Sequence, residues 1–134
     1  MDRAATMALR VQTRSIEPDI VVVEFDGRLT LASEESDRIE SQLNKLLREH
    51  PGKLIFDLSG VERIDSTGLG ILVYCFPVAR RAGGRLRLVD ARGAVQKEFA
   101  ATRLDKIIPV YPTVEAACQA FTKPAPPDPG AATP

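Results

Sequence analysis

Residues 54–72, LIFDLSGVERIDSTGLGIL, constrain this chain more than any other stretch. Leu54, Ile55, Phe56 and Leu58 form a short apolar run whose only internal charge is Asp57. Turn-forming pairs flank the run, Pro51-Gly52 before it and Ser59-Gly60 after it, and its length favours a buried strand over a helix. From Leu69 the period changes. Leu69, Leu72, Val73, Phe76 and Arg80 recur at spacings of three and four, which is helical. Between the two lie Asp65, Ser66 and Thr67, whose side-chain oxygens suit the unpaired N–H groups of a helix start. Ser66 is therefore expected at a strand-to-helix turn, near the positive end of a helix dipole. A phosphate there is electrostatically favoured and finds N–H donors.

Spacing alone is also met by a plain helix cap. Gly68 and Gly70 make a lone G-x-G, with Val73 where a dinucleotide fingerprint needs its third glycine, so that signal is weak. Ile64 stands where the hydrolase motif G-x-S-x-G requires glycine. A nucleophilic Ser66 would also want a base, and the single histidine, His50, is not near it in sequence. An enzyme is not the expectation.

The rest of the chain arranges itself around this unit. Residues 8–13 and 19–26 read as strands, the second with Ile20, Val22 and Glu24 alternating against Val21, Val23 and Phe25. Glu17-Pro18-Asp19 between them suggests a hairpin, and Asp26-Gly27 is read as the end of the second strand. Ser33 is a candidate cap for a helix with Glu34 and Glu35 in its first turn and Ile39, Leu43, Leu46 and Leu47 on one face. Its other face is charged and reads as solvated. Pro51-Gly52 ends it.

After the central helix, which holds Pro77 inside it, Arg80-Arg81 and Gly83-Gly84 mark a C-terminus. Residues 85–90 form the next strand, with Leu86, Leu88 and Asp90 assigned to one face and Arg87 and Val89 to the other. A short helix fits residues 94–101 through Val95 and Phe99. Residues 107–111 are expected as a final strand. Thr113 caps a last helix with Val114, Ala117, Cys118 and Phe121 facing inward. This alternation predicts an α/β fold: one domain, a mixed, mostly parallel sheet of about five strands with about four helices. Residues 1–7 are expected to be a flexible N-terminus and residues 8–122 the domain. Residues 123–134, KPAPPDPGAATP, hold five prolines in twelve positions and are expected to form a disordered tail.

The stretch from Leu54 to Gly70 resembles the signature of the STAS domain, and most closely that of the bacterial anti-sigma factor antagonists. In that family an apolar strand leads into D-S-[ST]-G-L-G, matched here by Asp65-Ser66-Thr67-Gly68-Leu69-Gly70. The resemblance extends over roughly residues 9–121. It implies helices packed mainly on one face of the sheet and a phosphorylated serine at Ser66. It further implies that the unphosphorylated form binds an anti-sigma factor that is also a serine kinase, releasing the sigma factor. Phosphorylation blocks that binding, and a serine phosphatase restores it. Asp65, Thr67, Gly68, Leu69 and Thr30 are then the partner-binding candidates. Asp65 either orients the serine or its kinase, or only caps the helix. Thr67 is a neighbouring cap and a secondary acceptor, Gly68 permits close backbone approach, Leu69 forms a partner-facing shoulder and Gly70 serves helix packing. One departure stands out. Many antagonists carry G-x-L-D after the second strand, with the Asp contributing to kinase recognition, whereas this chain reads Gly27-Arg28-Leu29-Thr30. The alternative the resemblance leaves open is a non-switching STAS subunit of a larger assembly, such as a stressosome or a lipid-transport complex.

Composition narrows the partners. Eighteen basic and eighteen acidic residues cancel, so the basic excess of a nucleic-acid binder is missing and no direct nucleic-acid contact is expected. Cys75 and Cys118 have no C-x-x-C spacing and only one histidine to join them, so neither a metal nor another cofactor is expected. Both cysteines lie in apolar helical patterns and read as buried thiols, which fits a reducing cytoplasm. The first residues lack a charged-then-apolar leader. The longest nearly apolar run, residues 69–79, is too short for a bilayer, so no membrane insertion is expected.

Overall fold

The computed structural model describes residues 9–30, 33–50 and 52–122; the expectations for residues 1–7 and for residues 123–134 lie outside them, and so does the side chain on which the Ser33 cap depends. Five strands form one sheet in the order β1 (Arg10–Ile16), β2 (Ile20–Leu29), β3 (Lys53–Ile64), β4 (Arg85–Val89) and β5 (Val110–Tyr111). β1 and β2 are the expected antiparallel hairpin, and β2, β3, β4 and β5 run parallel. Each parallel step is bridged by a helix: α1 (Ser33–Glu49), α2 (Ser66–Arg81) and α3 (Ala94–Ala101). A final helix, α4 (Val114–Ala120), follows β5. The domain is α/β with a mixed, mostly parallel sheet, as the sequence indicates.

The period-two alternation along the strands sorts residues onto two unequal faces. Val23 and Phe25 of β2, Leu54, Phe56 and Leu58 of β3, and Leu86 and Leu88 of β4 point into the main core. There they meet Ile39, Leu43 and Leu47 of α1, Leu72, Cys75, Phe76 and Ala79 of α2, and Val95 and Phe99 of α3. The Phe25 and Phe56 rings, 5.1 Å apart and tilted by 58°, mark its centre. The intervening residues Ile20, Val22, Ile55 and Val89 face the other way, under Ala117 and Phe121 at the end of the chain. Arg87 is buried on this second face with its guanidinium 5.1 Å from the Phe121 ring centre, and Arg85 approaches the same ring at 5.3 Å. Three helices cover one face and one short helix covers the other.

Several local expectations need correction. Ser59-Gly60 is not a turn but the middle of a twelve-residue β3, and Asp26-Gly27 does not end β2, which continues to Leu29. The two pairs face each other, with Asp26 in register with Gly60, and β3 takes an extra residue on either side of this point. The strands pass through the bulge instead of stopping. A Cβ on Gly60 would strike the Asp26 side chain, so glycine is what lets the two backbones close there. β1 begins at Arg10 and runs on to Ile16. The last strand shrinks to Val110–Tyr111, because Leu104–Lys106 form a 3₁₀ turn and Ile108 drops into the core. Of the two thiols only Cys75 is buried, and Cys118 on α4 is half-exposed. Burial lifts the Cys75 thiol to about 12, with the Glu40 carboxylate acting in the same direction. The Cys118 thiol is also raised, by desolvation and then by Glu115, against an opposing effect of Arg14.

Candidate functional site

The β3-to-α2 junction forms as the sequence indicates. Asp65 has an extended backbone and is the N-cap of α2, its Oδ1 accepting the Gly68 N–H at 3.0 Å. Its carbonyl accepts the Leu69 N–H at 2.9 Å, the first helical bond, and its own N–H donates to the Leu29 carbonyl at 3.3 Å. Capping is therefore a structural duty of Asp65. Ser66 and Thr67 fill the first two helical positions and are exposed. Their N–H groups have no acceptor one turn back, because the helix has not yet begun there. An oxygen-rich group on Ser66 would meet these donors and the positive end of a sixteen-residue helix.

The remaining candidates divide by burial. Gly68 is buried, and the backbone it approaches is that of Leu29: a Cβ here would overlap the Leu29 carbonyl oxygen and lie 2.8 Å from its Cγ. Leu69 is half-buried against the main core and Thr30 is half-buried at the end of β2. Gly70 does not serve packing. It is exposed, and a Cβ there would meet nothing within 4 Å.

Thr30 and Asp65, distant in sequence, line one open cleft of about 730 Å³. Its other walls include Glu62 and Arg63 from β3 and Arg92, Lys97 and Glu98 on and before α3. No motif in the sequence connects these converging charges. Nor does the sequence show the part played by Asp90. This carboxylate is buried, and it accepts four backbone N–H groups: those of Arg92 and Gly93 on Oδ1 at 3.1 and 3.0 Å, and those of Val95 and Gln96 on Oδ2 at 2.8 and 3.0 Å. It thereby fixes the start of α3 and the far wall of the cleft. An Asp followed three residues later by Gly at a helix start is the available signal, but alternation with Leu86 and Leu88 places Asp90 in the strand when the sequence is taken alone. His50 lies at the opposite end of β3 from Ser66, beyond the whole strand. Among the described residues no group of three His, Cys, Asp or Glu side chains is placed to hold a metal, and no helix is long and apolar enough to cross a membrane.

Residues 12–117 match the STAS domain family. The chain belongs to that family. A TM1081 homologue of Thermotoga neapolitana, named among the anti-sigma factor antagonists, is 32% identical over 76 residues, which are 57% of this chain and 67% of that one. The crystal structure of an anti-sigma factor antagonist from Mycobacterium paratuberculosis is 25% identical, with a TM-score of 0.72 over 87% of this STAS domain chain and 96% of the other. The anti-sigma factor antagonist SpoIIAA in its unphosphorylated form shares the fold, with a TM-score of 0.64 at 18% identity over 84% and 96% of the two chains.

Proposed function

We propose that this STAS domain is an anti-sigma factor antagonist whose partner binding is switched by phosphorylation of Ser66. The observation that carries the reading is the position of Ser66: exposed, on the first turn of a helix already capped by Asp65. A phosphate adds roughly −1.5 to −2 charges and three acceptor oxygens. At this helix start the charge is tolerated, so the domain stays folded and the change is felt by whatever docks there. The unphosphorylated surface of Asp65, Thr67, Leu69 and Thr30 would bind an anti-sigma factor with serine kinase activity and free its sigma factor. Phosphorylation would end that contact through repulsion and desolvation, and a serine phosphatase would restore it. Gly68 contributes by seating the helix on Leu29. Relatives that carry the antagonist name, among them the anti-sigma F factor antagonist of Paenibacillus polymyxa at 24% identity, support the reading. Threonine at position 30 stands where many family members carry an Asp that contributes to kinase recognition, so the cognate kinase would recognise a cleft with one negative charge fewer.

The test is intact mass and fragment mapping after incubation with ATP and each serine-kinase-type anti-sigma factor of the source genome. The expected result is a single phosphate on Ser66, absent in Ser66→Ala, with loss of the complex on phosphorylation. No phosphate with any kinase, together with stable co-purification in a larger assembly, would overturn the switch.

A further inference from the structure

Thr67, Gly70, Tyr74 and Arg81 lie on one side of α2 and are open to solvent, with the half-buried Pro77 and the buried Val78 in the turn between Tyr74 and Arg81. Tyr74 is unusual on this surface. It is 41% exposed, whereas all five phenylalanines are buried and Tyr111 is half-buried, so it is the single exposed benzene-type ring among the described residues. It stands in a groove of about 270 Å³ between α1 and α2, lined by Asn44, Arg48, Tyr74, Val78, Arg81 and Ala82. That lining holds two guanidinium groups and no carboxylate. Arg14 and Lys53 each have an acidic partner, but Arg48 and Arg81 have none among the described residues. The acidic residues Glu40 and Glu49 of α1 are outside the lining.

We propose that this groove is a second docking point for the protein that binds at Ser66, and that it takes a short acidic segment bearing an apolar side chain. Carboxylates would meet Arg48 and Arg81, while the apolar group would pack on the Tyr74 ring and Val78. The proposal rests on the Ser66 reading for the identity of the partner. Charge complementarity supports the occupant, since two like charges with no intervening acid favour an anion and disfavour a basic segment. Continuity supports the location. From Thr67 to Arg81 is about 21 Å along the helix, within the span of a standard interface of about 800 Å² per partner. Tyrosine and arginine are also the residue types that dominate binding energy at such surfaces. Tyr74 lies about 12 Å along the helix from Ser66, beyond the screening length of about 8 Å at physiological salt. Phosphorylation of Ser66 would therefore act on the Ser66 contact and not on the groove, whose own affinity is too weak to hold the complex alone.

Two measurements test this. The first titrates ¹⁵N-labelled protein with a synthetic peptide of about eight alternating Glu and Leu residues, and with its Lys-Leu counterpart. Shifts at Asn44, Arg48, Tyr74, Val78, Arg81 and Ala82 with the acidic peptide alone, lost in the Arg48→Glu/Arg81→Glu double variant, are expected. No shift at about 1 mM peptide, a concentration that detects even millimolar affinity, would overturn the groove. The second measures the affinity of the source genome's anti-sigma factors for wild type, Tyr74→Ala, the double variant and Ser66→Asp. All substituted side chains are exposed, and unchanged urea midpoints confirm that the variants fold. A loss of tenfold or more in both groove variants supports the proposal. Groove variants that bind like wild type while Ser66→Asp does not would overturn it and leave the Ser66 reading standing. Groove variants that lose binding while Ser66→Asp keeps it would do the reverse.

Discussion

The Leu29 carbonyl meets Gly68 so closely that no side chain fits between them, and the same oxygen accepts the Asp65 N–H at 3.3 Å. The end of β2 is thereby locked to the start of α2, and the position of Ser66 follows from that lock. Gly68→Ala must push the helix away from the strand, and overpacking of this kind costs about 1–3 kcal/mol. Gly70→Ala, two residues on, places its methyl in open space and should stabilise by about 0.5–1 kcal/mol through helix propensity. Urea unfolding of the pair checks this: opposite shifts of the midpoint are expected, and equal shifts would show that the contact with Leu29 is slack.

Asp90 is the second anchor of the site. Asp90→Ala strands four backbone N–H groups at the start of α3 and should cost about 3 kcal/mol or more, since hydrogen bonds to a charged acceptor contribute about 1.5–3 kcal/mol each and losses within one group are not additive. Asp90→Asn keeps one carbonyl oxygen and should fall between. Hydrogen exchange gives the local check. The Val95 and Gln96 amides should lose protection in Asp90→Ala more than amides in β3 do, and a uniform loss would mean that Asp90 acts on the whole fold and not on this helix start.

Ser66→Asp puts a negative charge at the start of α2, where helix-dipole interactions are worth about 0.3–1 kcal/mol. Its urea midpoint should equal or slightly exceed that of wild type, with the gain shrinking as salt is raised. A loss of unfolding free energy of more than about 1 kcal/mol would mean that charge at this position unfolds the site, and a switch acting only at the docking surface would have to be abandoned.

How far the sequence carried the reading depended on whether a signal was local. The junction at Asp65 was legible because its cap, its period change and its flanking strand lie within a few residues. Asp26-Gly27 and Ser59-Gly60 each look like a stop when read alone. Their meaning comes from being paired, Asp26 opposite Gly60, which only the folded sheet reveals. The same holds for the final helix: its apolar stripe is visible in the sequence, but the sheet face it covers depends on the path of the chain after β5. Asp90 sits at a strand end in an alternating pattern, and alternation could not show that its carboxylate turns forward to hold the next helix. The cleft beside Thr30 gathers charges from β3 and α3 that no motif connects.

Cys75 should make stability fall at alkaline pH. Its thiol is pushed from an ordinary value near 9 to about 12 by burial, and further by Glu40. Below the ordinary value the thiol is protonated in both the folded and unfolded chain, and the group has no pH effect. Above it the unfolded chain releases the proton while the folded chain still holds it, so unfolding gains about 1.4 kcal/mol per pH unit until about pH 12. Urea midpoints of Cys118→Ala and Cys75→Ala/Cys118→Ala at pH 7, 9 and 10 isolate this effect, because the half-exposed thiol is absent from both. The double variant should be less stable at pH 7, having lost packing in the core, yet its stability should decline less between pH 9 and 10. Parallel declines would mean that Cys75 ionises in the folded protein as readily as in the unfolded one. Thiol labelling of the wild type gives the matching kinetic result: Cys118 is modified first, and Cys75 only at the rate at which the domain opens.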